Sequence, residues 1–214
     1  MLFGHCRYHP FGYTCALTAG KGGPIIKTMN KRELILQEAE RLFAEKGYYG
    51  LGLSELLACC KIPKGSFYYY FPGGKIQLIQ EVLEYSYRHM EQAIVHHILV
   101  EKTALASFER MADILAGRIG QHEHLASMLL SMISIESVYL DERVNTVCHR
   151  IYTDWQKLYA DYLMRFGFDE AQSRVKAQAV FALIHGSLIS SWIKCSPEDL
   201  MMAKQALREI IGDR

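Results

Sequence analysis

The sequence predicts an all-α chain of nine helices, and three observations carry that reading. From Asn30 onward apolar residues recur every three or four positions. That spacing lays them along one helical face. The period-two alternation of a half-buried strand is absent, and Gly or Pro stands at several breaks between periodic segments, as at Gly47, Pro63, Gly120, Gly167 and Pro197. Neither an internal repeat nor a low-complexity tract is found.

Residues 1–28 lack a helical period and contain Gly-Lys-Gly-Gly-Pro. They are expected to form an extension outside the fold, disordered or poorly packed. Met29 directly precedes the first periodic segment and is a candidate start for the functional protein. A basic arm is the alternative, but only Arg7, Lys21 and Lys27 are cationic there.

The first helix is expected over 30–47. Asn30 suits the N-cap, with Glu33 three residues on as in a capping box; Ile35, Ala39, Leu42 and Phe43 share a face, and Gly47 ends the helix. A second, short helix follows over 53–60. Lys61-Ile62-Pro63 breaks the chain, with Pro63 at or next to the start of a third helix over 64–71. Pro72-Gly73-Gly74 stops it. Longer amphipathic helices are expected over 75–98, 103–120, 124–137, 141–165, 169–194 and 197–211.

Charge separates the two parts. Residues 1–80 hold ten Lys or Arg against five Asp or Glu, and the remainder holds fourteen against eighteen. A basic first third on a mildly acidic body points a polyanionic partner at the first third alone. The six cysteines (Cys6, Cys15, Cys59, Cys60, Cys148 and Cys195) form no C-x-x-C pair. They read as reduced thiols of a cytoplasmic protein. With no apolar run of about eighteen residues, no membrane helix is expected. His96 and His97 are adjacent and diverge on a helix, while His122 and His124 flank a helix end. Neither pair makes a metal site. No H-E-x-x-H, G-x-S-x-G or phosphate-loop motif occurs, so neither metal, cofactor nor catalysis is expected.

Two short helices joined by a tight turn and preceded by a longer one are the trihelical form of a helix-turn-helix. The start of the third helix carries Lys64, Gly65 and Ser66: a cation, a position open to close backbone approach, and a hydroxyl. Such groups suit phosphates and a major groove. The aromatic run that follows cannot all face one way. Phe67, Tyr70 and Phe71 share a face and are assigned to the core, leaving Tyr68 and Tyr69 towards DNA. An aromatic run by itself reads as core; Lys-Gly-Ser ahead and Lys75 behind reverse that reading.

At these residues the chain resembles the TetR/AcrR family of transcriptional regulators. The run GYYGLGLSELLACCKIPKGSFYYYFPGGKIQLIQEVL matches that family's signature in order and spacing, over about residues 29–90. Its wording is similar to the branch of LmrA-like and NemR-like regulators. The resemblance implies a DNA-binding head over 29–90 and a ligand-binding, dimerising helical body over 91–214. It further implies DNA contacts at Lys64, Ser66, Tyr68, Tyr69 and Lys75, with Ser54 and Gly65 completing the expected set. Three departures stand out: Lys61 replaces the usual turn glycine, Tyr69 stands where histidine is common, and the loop before Lys75 is one residue longer than usual.

In the body, Phe181, Gly186, Ile189, Leu200 and Leu207 are expected at a twofold interface formed by the last two helices, ordinary intrachain core being the alternative. A homodimer would set two heads one DNA turn apart, matching a near-palindromic operator. Met111, Leu115, Met128, Met132, Trp155, Tyr159 and Phe181 are expected to line a pocket for a small-molecule effector, plain core again being the alternative. Some relatives in the resembled branch respond to electrophiles through a body cysteine, which here leaves Cys148 and Cys195, neither beside a group that would lower its pKa.

Overall fold

The computed structural model describes residues 30–119 and 126–212. The expectations for residues 1–28, His122 and His124 lie outside them. Nine α-helices are found among the described residues: α1 (Lys31–Gly50), α2 (Leu53–Cys59), α3 (Lys64–Tyr70), α4 (Gly74–Ala93), α5 (Ala104–Ile119), α6 (Ala126–Leu140), α7 (Glu142–Met164), α8 (Glu170–Lys194) and α9 (Glu198–Ile211).

The caps explain most boundaries. The Asn30 side chain accepts from the Arg32 amide at 3.1 Å. Asp141 and Asp169 do the same for Arg143 and Gln172, at 2.9 and 2.8 Å. The Asp141 cap restarts the helix one residue after α6 ends, so α6 runs to Leu140, past the expected 137. At Gly47, as expected, the regular α1 stops: φ there is 68°, and a last turn to Gly50 follows. The turn after α2 is a Schellman motif, with Ile62 N–H donating to Leu57 O at 3.1 Å and Lys61 N–H to Ala58 O at 3.2 Å. Lys61 sits in its left-handed position, φ 52°. Glycine would adopt that conformation at less cost.

α1 buries Ile35, Leu36, Ala39, Leu42 and Phe43 against Leu56 of α2, Phe67 of α3 and Leu78, Ile79 and Val82 of α4. This small core continues through α4 into the body, where α4 packs on α7 and α6. α7, α8, α9 and α5 form the body proper. A smaller cluster (Ala116, Ile119, Met128, Leu188, Leu200) lies beside the main core. α4 ends in a wide turn over Ile94–Ile98, closed by Leu99 N–H to Ile94 O at 2.8 Å. The expected boundary near residue 90 therefore falls inside a helix shared by head and body. No helix among the described residues is long and apolar enough to cross a membrane.

Candidate DNA interface and effector cavity

α3 rests on two buried rings, Phe67 and Phe71, whose centroids lie 5.5 Å apart. Fixing that face fixes the opposite one. Tyr68 is 42% and Tyr69 81% exposed, while Tyr70 is half-buried against the core. Lys64 and Gly65 are exposed at the helix start and Ser66 half-buried; Ser54 is exposed on α2. Nothing lies within 4 Å of a Cβ built on Gly65, so the head itself does not require glycine there. The space is open to whatever meets α3 from outside.

Lys75 is placed otherwise than expected. Its amine turns inward, donates to the Tyr48 carbonyl and sits 3.9 Å from the centre of the Tyr48 ring. Burial lowers its pKa. This cation fastens α4 to the end of α1 and is not displayed beside Tyr68 and Tyr69. The Tyr48 amide in turn donates to the Glu136 carboxylate of α6 at 2.7 Å. The backbone of one residue, Tyr48, thus joins α1, α4 and α6. The Tyr49 hydroxyl adds a bond to the Tyr139 carbonyl at 3.3 Å.

Within the body, a cavity of about 70 Å³ opens between the end of α4, α5, α7 and α8. Of the expected residues, Met111, Leu115, Trp155 and Tyr159 line it. Met128 belongs to the smaller core cluster, Met132 is half-buried on α6, and Phe181 stands behind the wall, its ring 4.1 Å from that of His185. Residues not anticipated include Met90, Ala93 and Ile94 of α4, Arg118 of α5, and His185 of α8. A lone histidine in an apolar helix reads as core, so the sequence carries no signal that marks His185.

The polar atoms of this cavity are unusual. The Tyr159 hydroxyl bonds to Met111 Sδ at 3.3 Å. Trp155 Nε1 and His185 Nδ1 are buried without a hydrogen-bond partner among the described residues. Their rings lie 5.3 Å apart. Burial pushes the His185 pKa down to about 4, so the imidazole is neutral near pH 7. A second, larger groove of about 640 Å³ is lined by charged and polar groups of α7 and α8, among them Lys157, Asp161, Glu170 and Arg174. Ala160, Met164 and Val175 complete its lining.

The five residues expected at a twofold interface divide between the inside and the outside of the protomer. Phe181, Leu200 and Leu207 are buried inside the protomer, where α8 and α9 pack on α7 and α5. Gly186 is exposed and Ile189 half-buried. They lie in an outward stripe on α8 with Val175, Ala182 and Ile193, and Met201 and Met202 of α9 are exposed too. Among the described residues, no three His, Cys, Asp or Glu side chains gather where a metal ion could be held. Cys148 is buried, which raises its thiol pKa, and Cys195 is exposed at the end of α8.

Residues 35–82 match the model of bacterial regulatory proteins of the tetR family, and residues 104–206 match that of the C-terminal domain of LmrA/YxaF-like transcriptional regulators. The chain is 29% identical to the HTH-type transcriptional regulator LmrA of Bacillus subtilis over 162 residues, 76% of this chain and 86% of LmrA. Over 40 residues, 19% of this chain and 20% of the relative, it is 52% identical to the HTH-type transcriptional repressor NemR of Escherichia coli. The reduced-form crystal structure of E. coli NemR superposes with a TM-score of 0.77 at 25% identity, covering 87% of this chain and 99% of that one.

Proposed function

The chain belongs to the TetR family of helix-turn-helix transcriptional regulators, and from that premise we propose that it is a cytoplasmic homodimeric repressor released from its operator by a small molecule. Residues 29–90 act as the DNA-binding head and 91–214 as the body. Lys64, Gly65, Ser66, Tyr68 and Tyr69, with Ser54, meet the operator, whose near-palindromic form mirrors the twofold axis. The dimer forms through the outward stripe of α8 and the exposed methionines of α9, which bury apolar surface the protomer leaves open.

One observation supports effector control above the rest. α4 forms a wall of the body cavity with Met90, Ala93 and Ile94, and holds the end of α1 through Lys75 at its other extremity. A molecule seated in the cavity packs directly on the helix that positions the head, so its binding depends on where that helix lies. Operator affinity then falls by a coupling free energy of about 1–3 kcal/mol. Thiol control gains no such support, since burial moves Cys148 away from the reactive thiolate.

The test is selection of bound duplexes from a random pool, followed by anisotropy titration of the selected site against salt and against small molecules. The reading requires a twofold-symmetric site, a steep salt dependence and release by at least one compound. Binding unaffected by every compound that occupies the cavity would overturn the effector half of it.

A further inference from the structure

The cavity's chemistry narrows what it accepts. Resting on its reading as the effector site, we propose that its occupant is an uncharged molecule of about one ring, carrying a single oxygen that sits between Trp155 Nε1 and His185 Nδ1.

Size comes first. A volume of about 70 Å³ has room for roughly five waters, at about 10–15 Å³ each. Five waters displace about the volume of one six-membered ring. Larger bodies would have to push aside the surrounding wall.

Polarity comes second. Buried polar atoms in folded proteins are nearly all hydrogen-bonded, and the exceptions ask for a reason. Among the described residues, two of the four buried side-chain polar atoms without partners belong to residues that line this one cavity. The indole N–H only donates. The neutral imidazole Nδ1 accepts or donates according to its tautomer. A hydroxyl oxygen accepts from Trp155 and donates to His185; a carbonyl oxygen accepts from both when Nδ1 carries the proton. Either form of uncharged oxygen satisfies the pair, whose rings are 5.3 Å apart.

Charge comes third. Met90, Ile94, Met111, Ile114, Leu115 and Leu188 surround the pair with hydrocarbon and thioether, where an ion loses its hydration. Arg118, on the same wall, already has an interaction of its own.

The experiment uses the full chain and four probes of one ring: phenol, cyclohexanone, toluene and benzoate, with affinities from calorimetry. Phenol or cyclohexanone should bind about tenfold more tightly than toluene, the scale of one buried hydrogen bond, and benzoate more weakly than both. The better of the two oxygen probes reports whether Nδ1 accepts or donates. In Trp155→Phe the preference over toluene should shrink to about threefold or less. His185→Leu should shrink it likewise, and serves if Trp155→Phe does not fold. Toluene binding as well as the oxygen probes, benzoate binding best, no probe binding, or a preference intact in both variants would overturn the proposal. Operator affinity, read with the tightest probe at saturation, separates the two readings: discrimination by oxygen without operator release keeps this ligand class and removes the effector role.

Discussion

Glu136 of α6 fills the space that a side chain at Gly47 would need: a Cβ built on Gly47 would lie 2.7 Å from the Glu136 Oε1. The glycine is doubly required, because its φ of 68° is also one that L side chains rarely adopt. The carboxylate approaches this closely in order to accept the Tyr48 amide. Gly47→Ala should therefore lower stability by about 1–3 kcal/mol and loosen the seam between head and body. Denaturant unfolding reads the first effect. Weaker effector coupling at the operator reads the second, and Glu136→Ala should reproduce that weakening without the backbone strain.

Lys64 and Lys75 should separate cleanly. Lys64 is exposed at the start of α3, so Lys64→Ala should weaken operator binding uniformly across sequences and reduce the salt slope by about two, roughly one for each protomer. Lys75 binds the Tyr48 carbonyl. Lys75→Met should leave the slope unchanged and lower the midpoint of head unfolding instead. Anisotropy at several salt concentrations beside thermal unfolding distinguishes the two. A slope reduced by Lys75→Met would return that side chain to the DNA surface.

Glu40 predicts a pH dependence. It is buried between α1 and α4, accepts from Ser86 Oγ at 2.5 Å, and has its pKa raised by burial from 4.5 to about 7, the serine opposing that rise. The folded state therefore holds this proton more firmly than the unfolded chain does. The resulting stabilisation is complete below about pH 4.5, declines as pH rises towards 7, and is flat beyond. Its full span is on the order of 3 kcal/mol. In Glu40→Gln the decline should disappear between pH 5 and 7, roughly that range, as measured by chemical denaturation at fixed ionic strength.

The stripe on α8 and the core of α9 should respond differently to substitution. Ile193, 76% exposed, should tolerate lysine in the protomer while the variant sediments as a monomer with much weaker operator binding. Leu207 is fully buried. Leu207→Ala should cost about 2–5 kcal/mol and lower the unfolding midpoint. A dimeric Ile193→Lys variant would refute the assignment of this face.

The head was readable from sequence because its punctuation is chemical. Pro63, the Lys-Gly-Ser start and the Gly-rich stop confine α3, and the helical period separates Phe67 and Phe71 from Tyr68 and Tyr69. Lys75 was not readable: its four-carbon stem reaches either outward or back over Tyr48, and only the position of α1 decides. α8 posed the same difficulty on a larger scale. It is apolar on several sides, so its period could not assign Phe181 and Ile193 to different partners. In the cavity, Met111, Leu115, Trp155 and Tyr159 came from their residue types, whereas Ala93 and Ile94 were hidden in a helix that reads as part of the head's support.

The placement of Arg150 gives α4 a fulcrum. This arginine of α7 pairs with Glu84, ten residues from either Gly74 or Ile94. A helix of 20 residues is about 30 Å long, so each arm measures about 15 Å. A tilt of about 4° around that point swings each tip by about 1 Å. Were α4 to tilt rigidly about that pair, motion of that size at the body end would arrive reversed at the other, where Lys75 holds the last turn of α1.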